Sequence, residues 1–190
     1  MSAERARYNP EDAEPLANIE NKEIEYLEEP IFIILEKLRE SIENGDYGTI
    51  IGDDASGRIP ALIIGKFLNS YNAKHGLGKV ETLFLAGSGS KPKREVAHFI
   101  KGDDIKSYLE TRDLEKDVLI VTDTISSGNS LKPLTLALKR MGKKYDIASV
   151  GNQVMNENSI GEYLGTKPIY GELVLEKRSC RDDQSTCRDT

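Results

Sequence analysis

An apolar run, Val118-Leu119-Ile120-Val121, ends in Thr122 and Asp123, passes Thr124 and Ile125, and enters a turn of small residues, Ser126-Ser127-Gly128-Asn129-Ser130. A helical pattern resumes after the turn. This order of residue types suits an anion. Successive backbone N–H groups in such a turn, followed by a helix N-terminus, form a cradle for phosphate. Ser126, Ser127 and Ser130 add hydroxyl donors, and Gly128 lets the main chain approach a ligand closely. An ordinary serine-capped strand–helix turn is the competing reading of the same residues.

A turn of this kind needs a strand before it and a helix behind it, and the rest of the chain supplies such elements in alternation. Pro30 opens an amphipathic helix with Ile31, Ile34, Leu35, Leu38 and Ile42 at helical spacing and Gly45 as its stop. A strand over 48–52 runs into a loop over 53–58, and a helix follows over 59–73. Further strands are expected over 79–86, 117–123 and 146–150, with helices over 103–111 and 130–141. Pro133 is tolerable in a helical first turn. Strands alternating with helices predict an α/β domain, a twisted and mostly parallel sheet flanked by helices. The organisation reads as an acidic extension or flap over 1–29, one domain over 30–175, and a disordered tail over 176–190.

Composition narrows the function classes. The chain has 190 residues, a formal charge of −6, 38% hydrophobic and 31% charged residues, the balance of a soluble globular domain. No apolar run approaches the roughly 18 residues of a membrane span, and the first residues lack the apolar core of a signal peptide. A net acidic chain is a poor general binder of nucleic acid. Two Cys, both near the end, cannot staple a core, and with two His they do not form a zinc site. A cytoplasmic protein is expected. No Walker loop is present, and 87–92 lacks the third glycine of a dinucleotide fingerprint.

The stretch 118–131 resembles the signature of type I phosphoribosyltransferases: four apolar residues, two acids, two apolar residues, then a small residue, Thr or Ser, Gly, any residue, and Thr or Ser. The resemblance implies that Ser127, Gly128, Asn129 and Ser130 hold the 5′-phosphate of phosphoribosyl pyrophosphate, with Thr124 and Ser126 beside them. Asp123 falls on the second acid, which faces the ribose hydroxyls. The first acid position is Thr122, a departure from the family pattern. The order of elements extends the likeness over about 46–150, and the terminal regions would supply a small hood over the acceptor.

Two further constellations fit the same resemblance. The turn 52–60 sits where the family has its pyrophosphate loop. There the amides of Ala55, Ser56 and Gly57 and the guanidinium of Arg58 would meet pyrophosphate oxygens. The family often holds a non-proline cis peptide in this loop, and one is expected within 54–58. Asp53 and Asp54 would repel pyrophosphate unless a cation intervenes. They make sense around Mg²⁺, with Asp123 as a further ligand, or equally as helix N-terminal charges. The loop 87–95 corresponds to a flexible loop that closes over the reacting centre. Lys91, Lys93 and Arg94 would neutralise the leaving pyrophosphate there, the competing reading being a solvated basic loop.

The implied reaction is transfer of the phosphoribosyl group to a small-molecule nitrogen acceptor with loss of pyrophosphate. Ser126 stands where 6-oxopurine enzymes of the family carry an Asp, which speaks against plain hypoxanthine or guanine salvage. The alternative is a non-catalytic sensor of phosphoribosyl pyrophosphate or a nucleotide. A homodimer is left open.

Overall fold

The computed structural model describes residues 22–85, 102–112, 114–154 and 156–171. Helix α1 (Lys22–Lys37) and the short α2 (Arg39–Asn44) precede β1 (Tyr47–Asp53), α3 (Asp54–His75) and β2 (Glu81–Leu85). Then follow α4 (Gly102–Glu110), β3 (Asp117–Ile125), α5 (Lys132–Arg140), β4 (Tyr145–Asn152), α6 (Glu157–Leu164) and β5 (Ile169–Tyr170). The five strands form one sheet in the order β2-β1-β3-β4-β5, and every pair is parallel. The parallel α/β sheet flanked by helices expected from the sequence is the fold observed.

Its central strands are buried on both faces, which is why β3 reads as the near-continuous apolar run Val118–Val121. One face carries Ile50, Leu119, Val121, Ala148 and Val150 and packs with Leu27, Ile31 and Ile34 of α1 and Ala61, Ile64 and Leu68 of α3. The other carries Ile51, Ile120 and Ile147 and packs with Ile105 and Leu109 of α4, Leu134 and Leu138 of α5, and Ile160 and Leu164 of α6. The strand order reverses between β1 and β3. In open sheets of this order, ligands bind in the crevice outside the strand carboxyl ends at that reversal. The topology alone therefore places the ends of β1 and β3 at the candidate site.

Three expectations are corrected. Helix α1 starts at Lys22, so Pro30 lies inside it rather than at its start. Leu27, one helical turn before Ile31, is 2% exposed, and its burial extends the apolar face through the proline. The stretch 54–58 is the first turn of α3 rather than a loop, and the helix runs to His75. No helix or strand was expected after 150, yet α6 and β5 follow, and β5 extends the sheet beside β4. The described part of the chain ends at Gly171, so the expected tail and residues 1–21 of the expected extension lie outside the described residues. Among the described residues no helix is long and apolar enough to cross a membrane.

Helix α3 lies unusually close to β3. A Cβ on Gly57 would stand 2.3 Å from the Val121 carbonyl oxygen and 3.2 Å from the Thr122 Cα, so only glycine fits without the helix lifting off the strand. Overpacking of this kind typically costs about 1–3 kcal/mol. Gly57→Ala should therefore lower unfolding stability by about 2 kcal/mol in urea titrations with an unchanged slope. A variant as stable as the wild type would show that α3 does not depend on this contact.

Candidate functional site

The end of β3 and the turn that follows build a pocket. Thr124, Ile125, Ser126, Ser127, Gly128, Asn129, Ser130 and Leu131 line a cavity of about 260 Å³. Gly128 takes a left-handed conformation, φ +70°, and its carbonyl accepts from the amides of Leu131 and Lys132 at 3.1 Å each. These bonds fold the chain back sharply into α5, where Pro133 occupies the first turn. The result is a tight, hydroxyl-rich concavity at a helix start, the shape an anion needs. The structure brings Thr124, Ser126, Ser127, Gly128, Asn129 and Ser130 together around this cavity.

The reason for glycine at 128 differs from the sequence expectation. Its missing Cβ would point at the Leu164 side chain of α6, at 3.2–3.4 Å, not into the cavity. Positive φ and packing against α6 are what require it. Helix α6 braces the turn in a second way. The Tyr163 hydroxyl donates to Asn129 Oδ1 at 3.1 Å, while the Lys132 ammonium sits 4.1 Å over the Tyr163 ring and donates to the Tyr163 carbonyl. Sequence reading missed Tyr163, Leu164 and Lys132 as supports of the site. The signal was present: Asn156 caps α6 by accepting from the Asn158 and Ser159 amides at 3.1 and 3.2 Å, and Gly165 ends it in a left-handed cap.

Across the crevice stands the end of β1. Asp53 is its last residue and the cap position of α3, and is 8% exposed. The backbone of Asp54, Ala55 and Ser56 forms the first helical turn, whose leading amides have no partner within the helix. The amide of Gly57 comes one step too late for that role. In a helix beginning at Asp54 it reaches back to the Asp53 carbonyl, leaving Gly57 a packing function. The described residues contain no cis peptide, so the one expected within 54–58 is absent. Arg58 is exposed, with its guanidinium 5.0 Å over the Phe84 ring, a cation–π contact on β2 rather than a position in the cavity. Thr122 is 1% exposed and Asp123 half-buried. Lys91, Lys93 and Arg94 lie outside the described residues.

The described acids do not gather into a cage. No group of three His, Cys, Asp or Glu able to hold a metal occurs among the described residues. Mg²⁺ keeps several waters and is commonly held by one or two carboxylates, which Asp53 and Asp123 at the strand ends could supply.

A larger cavity, about 380 Å³, opens at the opposite edge, lined in part by Lys106, Arg112, Arg140 and Lys143. It borders the starts of β3 and β4. Its cations are engaged: Lys106 pairs with Glu110 and Arg112 with Glu81, both at 3.3 Å, and Lys143 donates to the Leu114 carbonyl. Size does not make it the site.

No family model matches the chain, and no curated protein matches it. Among solved structures it is similar to a purine phosphoribosyltransferase from Pyrococcus horikoshii Ot3, with 20% identity, a TM-score of 0.44, and coverage of 69% of this chain and 77% of that one. It is also similar to a phosphoribosyltransferase from Corynebacterium diphtheriae, with 21% identity, a TM-score of 0.37, and coverage of 71% and 69%. Likenesses this distant carry no weight for activity.

The brace from α6 gives a test separate from the turn's own residues. Tyr163→Phe removes one hydroxyl bond to Asn129 and leaves the ring under Lys132. It should weaken ribose 5-phosphate binding by about threefold to tenfold, the range of one net hydrogen bond, with little change in melting temperature. Calorimetric titration checks this, and unchanged affinity would remove α6 from the site.

Proposed function

We propose that the chain binds phosphoribosyl pyrophosphate across the β1/β3 crevice and transfers its phosphoribosyl group to a nitrogen acceptor, releasing pyrophosphate. The observation that carries this reading is the Gly128-centred cradle at the carboxyl end of β3, facing the first turn of α3 across the strand-order reversal. One anion-suited turn fits many phosphorylated ligands. Two of them flanking a single crevice, with carboxylates between, fit a ligand phosphorylated at both ends of a polar sugar.

In this reading the residues 126–130 hold the 5′-phosphate, and the leading amides of α3 meet the pyrophosphate. Asp123 lies where positive charge develops on the ribose as the bond to pyrophosphate breaks. One carboxylate about 5 Å from that charge, at an effective dielectric near 20, is worth roughly 3 kcal/mol, or about a hundredfold in rate. Mg²⁺, when bound, would supply charge neutralisation on the leaving pyrophosphate, with Asp53 and Asp123 as the carboxylates at hand. Lys91, Lys93 and Arg94 keep their proposed role as basic residues that approach the pyrophosphate during turnover.

The second reading is a sensor that binds the same ligand without turnover. It is favoured by Thr122, which removes one negative charge from the strand end where the family carries two. Incubation with Mg²⁺, phosphoribosyl pyrophosphate and a panel of purine and pyrimidine bases, with pyrophosphate release as readout, separates the two. The enzyme reading expects release that depends on one base and a larger loss in turnover than in affinity for Lys91→Ala and Lys93→Ala. Tight binding with no release for any base would favour the sensor, and no binding would dismiss both.

A further inference from the structure

We infer that Asp53, at the end of β1, supplies the carboxylate that the β3 strand end lacks at Thr122, so that the site's two acids come from two strands rather than one. The inference rests on the phosphoribosyl reading of the site and assigns one residue's part in it. In the β1·β3 pair, Ile51 stands beside Ile120 and Gly52 beside Val121. Ile51 and Ile120 both point into the core under α4 and α5, while Ile50 and Val121 point into the core under α1 and α3. Side chains alternate along a strand with a period of two. One step further along, Asp53 and Thr122 therefore stand as neighbours on the α5 face, the face from which the cradle rises. Asp123 falls on the α3 face.

Burial sharpens the assignment. Asp53 is 8% exposed and Thr122 is 1% exposed, so both belong to the floor of the crevice rather than to a solvated rim. Gly57, against the Val121 carbonyl, holds the start of α3 onto β3, which fixes Asp53 at the strand end beside Thr122. Together, Asp53 on one face and Asp123 on the other bracket the position of the ribose. Threonine at 122 then avoids setting a second carboxylate directly against Asp53, where like charges disfavour one another's ionisation.

A charge exchange tests this. Full-length wild type, Asp53→Asn, Thr122→Asp and the double variant are titrated calorimetrically with phosphoribosyl pyrophosphate in excess Mg²⁺. Their thermal protection by inorganic phosphate and their unliganded melting temperatures are measured in parallel. Asn has the shape of Asp without its charge, so Asp53→Asn should leave the fold and its unliganded melting temperature in place. Its affinity for phosphoribosyl pyrophosphate should fall about tenfold, the gap between a charge-assisted and a neutral hydrogen bond. Thr122→Asp alone should also bind more weakly, and the double variant should return to within about threefold of wild type. Unchanged affinity in Asp53→Asn, or a double variant no tighter than Asp53→Asn, would overturn the assignment while leaving the phosphoribosyl reading intact. A wild type that responds to neither phosphate nor phosphoribosyl pyrophosphate would overturn the reading itself, and this inference with it.

Discussion

The first turn of α3 rests directly on the main chain of β3, with Gly57 against the Val121 carbonyl, and the geometry of the whole carboxyl edge follows from that contact. Because α3 starts immediately at Asp54, there is no loop between β1 and its helix, and the leading amides of the helix are held at the level of the strand ends. On the other side of the strand-order reversal, β3 continues through the Gly128 turn into α5 on the opposite face of the sheet. The two helices leave the crevice in opposite directions, and their starts face each other across it. A polar ligand with anionic ends is the natural complement of that arrangement.

The support of this edge comes from elements remote in sequence. Helix α6 closes the back of the cradle through Leu164 against Gly128 and Tyr163 against Asn129. Strand β5 ties the far edge of the sheet to α1, where Lys37 donates to the Tyr170 carbonyl at 2.8 Å and Gly171 lies against the Pro30 carbonyl. Proline inside a helix costs about 3 kcal/mol. Helix α1 keeps its course through Pro30 because Leu27, Ile31 and Ile34 bury against β4 and α3 neighbours on the inner face.

Much of the fold was legible because its strongest signals are local. The run Val118–Val121 is apolar at every position, as a strand covered on both faces must be, and glycines mark the ends of α2 and α3 in left-handed caps. The turn over 126–130 was legible for the same reason: its serines and Gly128 are contiguous. Where the sequence misled, tertiary contact had outvoted a local rule. Pro30 looks like a helix start until Leu27 is seen to be buried, and 53–58 looks like a loop until the close approach of Gly57 to β3 is seen. The role of α6 could not be read from the turn it braces, because the contacting residues lie more than thirty positions away. The neighbourhood of Asp53 and Thr122 likewise exists only through strand register, which no single segment contains.

The central claim is that the ends of β1 and β3 form one site for a phosphorylated ribose. Mapping amide resonances of the uniformly ¹⁵N-labelled chain during titration with phosphoribosyl pyrophosphate and Mg²⁺ tests it most directly. The account predicts saturable shifts concentrated at 126–130 and at 53–56, appearing together with one dissociation constant. Shifts confined to one of these segments, or centred on the cavity of Lys106, Arg112, Arg140 and Lys143 at the opposite edge, would contradict it.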